Sequence, residues 1–175
     1  MEVVIAKYNE NISWSHYLPV PVTVYDKSKD IPNIGREGET FLRHIVERYD
    51  SLSEKTLFLQ GDPFDHSRAI TTDIGEIIFR YRQADIKTIT PFECPYHKEH
   101  VDEISILEIR KNFKTLLNRD PPEFIHFAAG CQYVIHSDYI KRRPKEYYQG
   151  FRDFLTNDHN CYVFERIFPY IFENC

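Results

Sequence analysis

Thr56-Leu57-Phe58-Leu59-Gln60-Gly61-Asp62-Pro63-Phe64-Asp65-His66 decides the fold. The run Leu57-Phe58-Leu59 is short and wholly apolar, which predicts a buried strand. It breaks at Gln60-Gly61-Asp62-Pro63, where Gly61 and Pro63 are turn residues. Asp62 therefore stands just past the carboxyl end of a core strand. In open α/β sheets that rim is where ligands bind. Asp62, Asp65 and His66 follow within five positions and are the candidate metal ligands. The alternative is a polar turn that merely ends a strand.

The same pattern repeats upstream. Val3-Val4-Ile5-Ala6 predicts a buried first strand, followed by the polar loop Lys7-Tyr8-Asn9-Glu10-Asn11 and by Trp14, expected to anchor that loop. Val20 to Tyr25 predicts a second strand, and Pro19 and Pro21 delay its pairing to Val22. It runs into Asp26-Lys27-Ser28-Lys29-Asp30. A tight loop with Pro32, Gly35 and Gly38 leads into a helix over 36–50. Phe41, Leu42, Ile45, Val46 and Tyr49 form its apolar stripe, and Glu39/Arg43 and Arg43/Glu47 pair on its outer face. Strands alternating with helices predict an α/β domain with a mixed, mostly parallel sheet flanked by helices. Parallel strands would bring the polar loops 7–11, 26–30 and 60–66 to one rim.

Downstream, a helix is predicted over 72–82, capped by Thr71 or Thr72. One short strand near 86–89 is expected inside a loop over 84–101. A second amphipathic helix follows over 103–117. Strands are predicted at 123–127 and at 131–136, where Cys131, Tyr133 and Ile135 alternate with Gln132, Val134 and His136. A short helix starts at Ser137, Pro144 opens another, and a last helix covers 162–172. His97-Lys98-Glu99-His100 is expected to be a solvated loop, and Lys141-Arg142-Arg143 a solvated helix end with the option of an anion site.

With 175 residues, one domain is expected. The net charge of −5 argues against a nucleic-acid partner, which needs a basic face. Cys94, Cys131, Cys161 and Cys175 lack zinc or disulfide spacing, so reduced thiols and a cytoplasmic setting are expected. No apolar run suits a signal peptide or a membrane span, so no integral membrane segment is expected.

The order Asn33-x-Gly35, amphipathic helix, then strand ending Gln60-Gly61-Asp62 resembles the donor half of GT-A-type glycosyltransferases. More closely, the chain resembles the DUF3431 family. That resemblance is carried by Val4-Ile5-Ala6-Lys7-Tyr8-Asn9-Glu10 with Trp14, by the stretch from Asn33 to Asp50 and by Phe58 to His66. Gly130 to Ile135, Arg143-Pro144 with Tyr147-Tyr148, and Phe164-Glu165-Arg166 complete it. The resemblance implies a single GT-A-like, Rossmann-related domain. Residues 1–66 would be its nucleotide-sugar-binding half and residues 67–175 its acceptor-side half. It implies transfer of a sugar from a nucleoside diphosphate sugar, UDP-linked by preference, to a carbohydrate or other hydroxyl acceptor. The implied donor site comprises Ala6, Tyr8, Asn9, Glu10, Asp26, Arg36, Glu37, Gln60 and Gly61. Mn²⁺ or Mg²⁺ would be held by Asp62, Asp65 and His66, although Gln60 replaces the first Asp of the superfamily's Asp-x-Asp.

An inverting transfer needs a base at the acceptor hydroxyl. Glu165, flanked by aromatics, is the first candidate and Asp138 the second. Plain readings compete with each: a turn residue at Asp26, an Arg36–Glu37 pair closing the helix start, an ion pair at Glu165, and a helix-terminal carboxylate at Asp138. A metal-dependent phosphoesterase and a non-catalytic nucleotide- or sugar-binding module are the alternative functions.

Overall fold

β1 (Glu2–Lys7), β2 (Val22–Asp26) and β3 (Lys55–Gln60) are the three apolar runs of the amino-terminal third. Both β2 and β3 pair with β1 in parallel. The computed structural model describes residues 1–67, 73–93, 96–100, 107–156 and 158–173. Between β2 and β3 runs α1 (Arg36–Glu47), which crosses over the sheet. Further on come α2 (Ile74–Gln83), β4 (Ile89–Pro91), β5 (Tyr96–His100), α3 (Leu107–Leu117), β6 (Phe124–Ala128) and β7 (Tyr133–His136). The chain closes with α4 (Ser137–Ile140), α5 (Lys145–Phe154) and α6 (Asp158–Ile167).

The main sheet has the order β2-β1-β3-β7-β4, and β5 and β6 form a separate antiparallel pair. β7 runs against both β3 and β4, so four strands share one direction and β7 opposes them. The expected α/β class with a mixed sheet between helices holds. Register places the carboxyl ends of β1, β2 and β3 side by side, Lys7 facing Asp26 and Ala6 facing Gln60. Because β7 is reversed, its amino end reaches the same rim, Tyr133 opposite Phe58.

Alternation along the strands builds two cores. Val4, Ala6, Phe58, Tyr133 and Ile135 face an aromatic layer that includes Phe41, Tyr148, Phe164 and Phe168. Val3, Ile5, Leu57, Leu59 and Val134 face a smaller aliphatic layer under α2. Each fully buried Val, Leu, Ile or Phe stabilises by roughly 1.5–3 kcal/mol, so a slip of one residue in any strand would exchange the two layers at large cost. No helix among the described residues is long and apolar enough to cross a membrane.

Four local expectations need correction. Asp73, not a threonine, caps α2, its carboxylate accepting from the Gly75 N–H at 2.8 Å; Thr71 and Thr72 lie outside the described residues. The segment 84–101 carries two strands rather than one. His97-Lys98-Glu99-His100 belongs to β5: His97 stacks on Phe127 and Lys98 covers Phe124, so one strand partner suffices to order a polar run. The last helix ends at Ile167 and becomes a 3-10 turn over Phe168–Phe172. Pro169 lacks an N–H and cannot continue an α-helix. For the helix predicted over 103–117, residues 103–106 lie outside the described residues and Leu107–Leu117 is helical.

Candidate functional site

The three polar loops meet at the rim and enclose a strand-end cavity of about 630 Å³. Ala6, Lys7, Tyr8 and Glu10 from the end of β1 form one side. Lys27, Asn33, Arg36 and Glu37 come from the end of β2 and the start of α1, and Gln60, Asp62, Asp65 and His66 from the end of β3. A side cavity of about 240 Å³ adjoins it, lined by Arg36, Glu37, Cys161, Tyr162 and Glu165. Arg36 and Glu37 are the wall common to both. A larger hollow of about 910 Å³ lies at the other end of β6, between Arg119–Phe124 and Pro169–Glu173. It is lined by three prolines and by Arg119 paired to Glu173 at 2.9 Å and lies away from the carboxyl ends of β1, β2 and β3, so the rim is the candidate site.

The loop after β3 is held from beneath. The Trp14 indole N–H donates to the Gly61 carbonyl at 3.2 Å, and Trp14 packs edge-on against Phe64. Buried Gln132 donates through its amide to the Pro63 carbonyl and the Ser67 hydroxyl, each at 3.2 Å. A Cβ on Gly61 would fall 2.5 Å from the Glu10 carboxylate, so only glycine lets Glu10 lie against this turn. Gln60 donates to the Asp62 carbonyl at 2.7 Å. An ionised Asp at 60 has no proton for that bond, which gives the amide a reason to be there. Asp62 accepts from the Phe64 N–H at 3.2 Å and otherwise faces solvent.

The start of α1 is built around a buried cation. Gly35 and Arg36 both have positive φ, 72° and 47°. Lys27, 5% exposed, donates to the Ile34 carbonyl at 2.7 Å and the Arg36 carbonyl at 2.6 Å. It also meets Glu39 at 3.5 Å, and Glu39 binds Arg43 at 2.8 Å and Arg152 at 2.9 Å. Burial lowers the Lys27 pKa, opposed by Glu39. Glu37, two residues before this network, makes no ion pair among the described residues. Burial pushes the Glu37 carboxyl up, and the Glu165 charge adds to that while its own backbone N–H, Arg36 and Lys27 oppose it.

Opposite stands the turn Ala129–Cys131 that follows β6. Gly130 and Cys131 again have positive φ, 67° and 51°. A Cβ on Gly130 would sit 2.6 Å from the Gln60 amide oxygen and 3.4 Å from the His66 ring, so this turn abuts the loop after β3. The Gly130 N–H donates to Glu165 at 2.7 Å, and Arg166 donates to the other Glu165 oxygen at 2.7 Å. Of the four non-glycine residues with positive φ among those described, Arg36 and Cys131 stand in the turns beside the strand-end cavity and Glu93 and Asn118 lie elsewhere; such backbone recurs at binding and catalytic sites. Cys131 and Cys161 are buried and form no disulfide, and burial pushes the Cys131 thiol well above its ordinary value, against thiolate formation.

Nine of the residues expected from the sequence line the strand-end cavity: Ala6, Tyr8, Glu10, Arg36, Glu37, Gln60, Asp62, Asp65 and His66. Gly61 backs it without lining it. Asn9 lies outside the lining. So does Asp26, which is turned to Lys7 at 2.8 Å and to Ser28; those contacts, Lys7 first, hold its carboxyl down to about 2. Glu165 belongs to the side cavity. Asp138 is not brought to the site: it follows the far end of β7, where His136 faces Lys55, and is largely exposed beside His136. Lys27 and Tyr162 belong to the site although neither stood among the expected residues.

Among the described residues, no three His, Cys, Asp or Glu side chains converge as a ready metal centre. Mg²⁺-type sites use one or two carboxylates and take remaining ligands from phosphates and water. Asp62 and Asp65, two exposed carboxylates on one cavity wall, fit that donor set.

Residues 3–175 match the family model described as "Protein of unknown function (DUF3431)", and the chain belongs to that family. No curated protein and no solved structure matches the chain.

Proposed function

We propose that this chain is a glycosyltransferase that moves a sugar from a nucleoside diphosphate sugar to a hydroxyl acceptor. The observation that carries the reading is the strand-end cavity at the carboxyl ends of β1, β2 and β3, with the side cavity sharing its Arg36–Glu37 wall, both lined by cations and carboxylates. Ligands of open α/β sheets bind at this rim. The order of elements, with an acidic residue ending β2, a glycine turn into α1 and Asp62 after β3, supports a GT-A-like architecture.

In this reading Ala6, Tyr8 and Glu10 receive the nucleoside. Lys7, Arg36 and the amino end of α1 meet the diphosphate, where cationic donors and the helix dipole favour negative charge. Asp62, with Asp65 and His66, would hold Mn²⁺ or Mg²⁺; such an ion neutralises charge on a leaving diphosphate. The side cavity receives the acceptor.

Calorimetry with UDP, with and without Mn²⁺, tests the reading. Asp62→Ala should weaken metal-dependent UDP binding by roughly tenfold or more, about 1.4 kcal/mol, with an unchanged far-UV spectrum. Equal affinity in the variant removes Asp62 from metal binding. A binding module without chemistry draws support from Gln60, whose amide serves the loop rather than an ion. Slow hydrolysis of UDP-sugars separates the two, since a pure binder releases no sugar.

A further inference from the structure

We propose that the side cavity is an acceptor subsite for a sugar ring, with Tyr162 as its platform and Glu37 as the group that takes the hydroxyl proton. This rests on the transferase reading above for the chemistry, but not for the binding of the sugar.

Tyr162 is 54% exposed and lines the side cavity. Its ring is nevertheless fixed. The Arg166 guanidinium lies 3.4 Å from the ring centroid and also covers Phe127 at 4.5 Å. Arg166 is itself buried and locked by a two-point pair with Glu99 at 2.8 and 3.0 Å and by Glu165. The clamped cation holds the ring rigid where it lines the side cavity. The polarised C–H groups on one side of a pyranose suit an aromatic ring, and the surrounding carboxyls suit its hydroxyls. Pockets of this composition, one aromatic wall with a few aimed polar groups, are those that orient small ligands.

Two carboxyls compete for the proton. Both oxygens of Glu165 already accept, one from Gly130 N–H and one from Arg166, so Glu165 is a positioning residue. Glu37 has no ion pair among the described residues and lies on the wall shared by both cavities. A donor in one cavity and an acceptor in the other meet there. The acceptor O–H proton passes to the Glu37 carboxylate. The acceptor oxygen bonds to the anomeric carbon as the bond from that carbon to the diphosphate oxygen breaks, and the electron pair leaves with the diphosphate. Burial and the Glu165 charge move Glu37 toward neutral pH, where a base works best. Arg36 and Lys27 act in the opposite sense. Cys161 and Tyr162 are the other titratable groups of the side cavity. Lys7, Glu10, Asp62, Asp65 and His66 lie across the strand-end cavity.

The test uses the full chain, a panel of methyl hexopyranosides at tens of millimolar, and backbone amide NMR. At least one sugar should shift the amides of Glu37 and of 161–166, and Tyr162→Ala should weaken it at least tenfold while UDP affinity stays within twofold. No sugar shifting those amides, or equal affinity in the variant, overturns the subsite. In transfer assays Glu37→Gln should lower kcat roughly 10²–10⁴-fold with donor affinity retained, and should abolish the acid limb of the pH–rate profile. Near-normal turnover, or a retained acid limb, overturns the role of Glu37. The two proposals fail separately. Sugar binding without any nucleotide binding sinks the transferase and keeps the subsite; nucleotide binding with a silent Tyr162 wall does the reverse.

Discussion

Two left-handed turns flank the strand-end cavity, and they are held from opposite signs of charge. Gly35-Arg36 rests on the buried ammonium of Lys27, which fills its carbonyls. Gly130-Cys131 rests on the Glu165 carboxylate, which fills an N–H. The first anchor is the more closed: Lys27 and Glu39 are 5% and 6% exposed, and Lys27 only edges the strand-end cavity. The second anchor lines the side cavity. One turn is therefore held mainly by contacts inside the protein, while the other is tied to a group that lines the side cavity.

Removing the closed anchor should have the largest effect. Lys27→Met keeps the buried stem but leaves two carbonyls without their donor and Glu39 with one cation fewer. Breaking a buried charged pair costs about 3–5 kcal/mol, and the surviving Arg43 and Arg152 contacts place this case near the lower end. Urea unfolding should show it as a large fall in midpoint with an unchanged slope. Glu165→Gln keeps an acceptor for Gly130, and its loss should stay at about 1–2 kcal/mol. Equal losses at the two positions would erase the distinction between a closed and an open anchor.

The glycines sharpen the comparison. At Gly35 an added Cβ meets the Glu39 Cβ at 2.5 Å and Leu155 at 3.0 Å, both tied to backbone. At Gly130 it meets the Gln60 amide at 2.6 Å, the movable end of a side chain. Both carry the ~1–2 kcal/mol cost of a left-handed L-residue. Gly35→Ala should add overpacking for about 2–4 kcal/mol in all, Gly130→Ala about 1–2. Gly130→Ala should also displace Gln60 and weaken UDP binding, which Gly35→Ala affects only through stability.

The two turns also differ in how readable they were. Gly35 stands between Pro32-Asn33 and an amphipathic stripe, so a break into a helix is written locally. In Ala128-Ala129-Gly130-Cys131 the glycine marks a break, but nothing local marks Cys131 for a positive φ. The strands β1, β2 and β3 were legible because apolar runs end in turn residues, and their common rim followed from parallel pairing. Lys27 and Tyr162 were not. Lysine is exposed by default and tyrosine intermediate, so neither the burial of Lys27 nor the place of Tyr162 on a cavity wall is written locally. β5 was missed because a polar run gives no period-two signal when neither face enters the main core. Asp138 was misplaced because its position depends on β7 being antiparallel, which no local pattern states.

Acid should act on the rim through Asp26 and Glu37 in opposite directions. Asp26 is held near 2, below its ordinary 3.8, by Lys7 first and by Ser28. A depressed carboxyl contributes stability that is full above the ordinary value and is lost as pH falls through the depressed one. Asp26→Asn should therefore flatten the stability profile between about pH 4 and pH 2. Glu37 is raised, so the folded chain binds that proton more tightly and stability falls as pH rises through its folded value. Glu37→Gln should raise the urea midpoint above that value and leave it unchanged at pH 4. A variant less stable at neutral pH would mean that Glu37 has a cationic partner after all.

The smallest effect is expected at Cys131, where two terms oppose each other. Its side chain is 1% exposed, and losing it costs roughly 1 kcal/mol of burial. Its φ of 51° costs a non-glycine residue about 1–2 kcal/mol. Cys131→Ala loses the burial and keeps the strain, for about 1 kcal/mol of destabilisation. Cys131→Gly loses the burial and releases the strain, and should lie within about 0.5 kcal/mol of the parent. At an ordinary strand position the order is reversed, glycine being worse than alanine by roughly 0.5–1 kcal/mol. Thermal unfolding of the two variants side by side decides it. Glycine below alanine at 131 would mean that the second turn carries no strain, and only Gly35-Arg36 would then pair stored strain with the site.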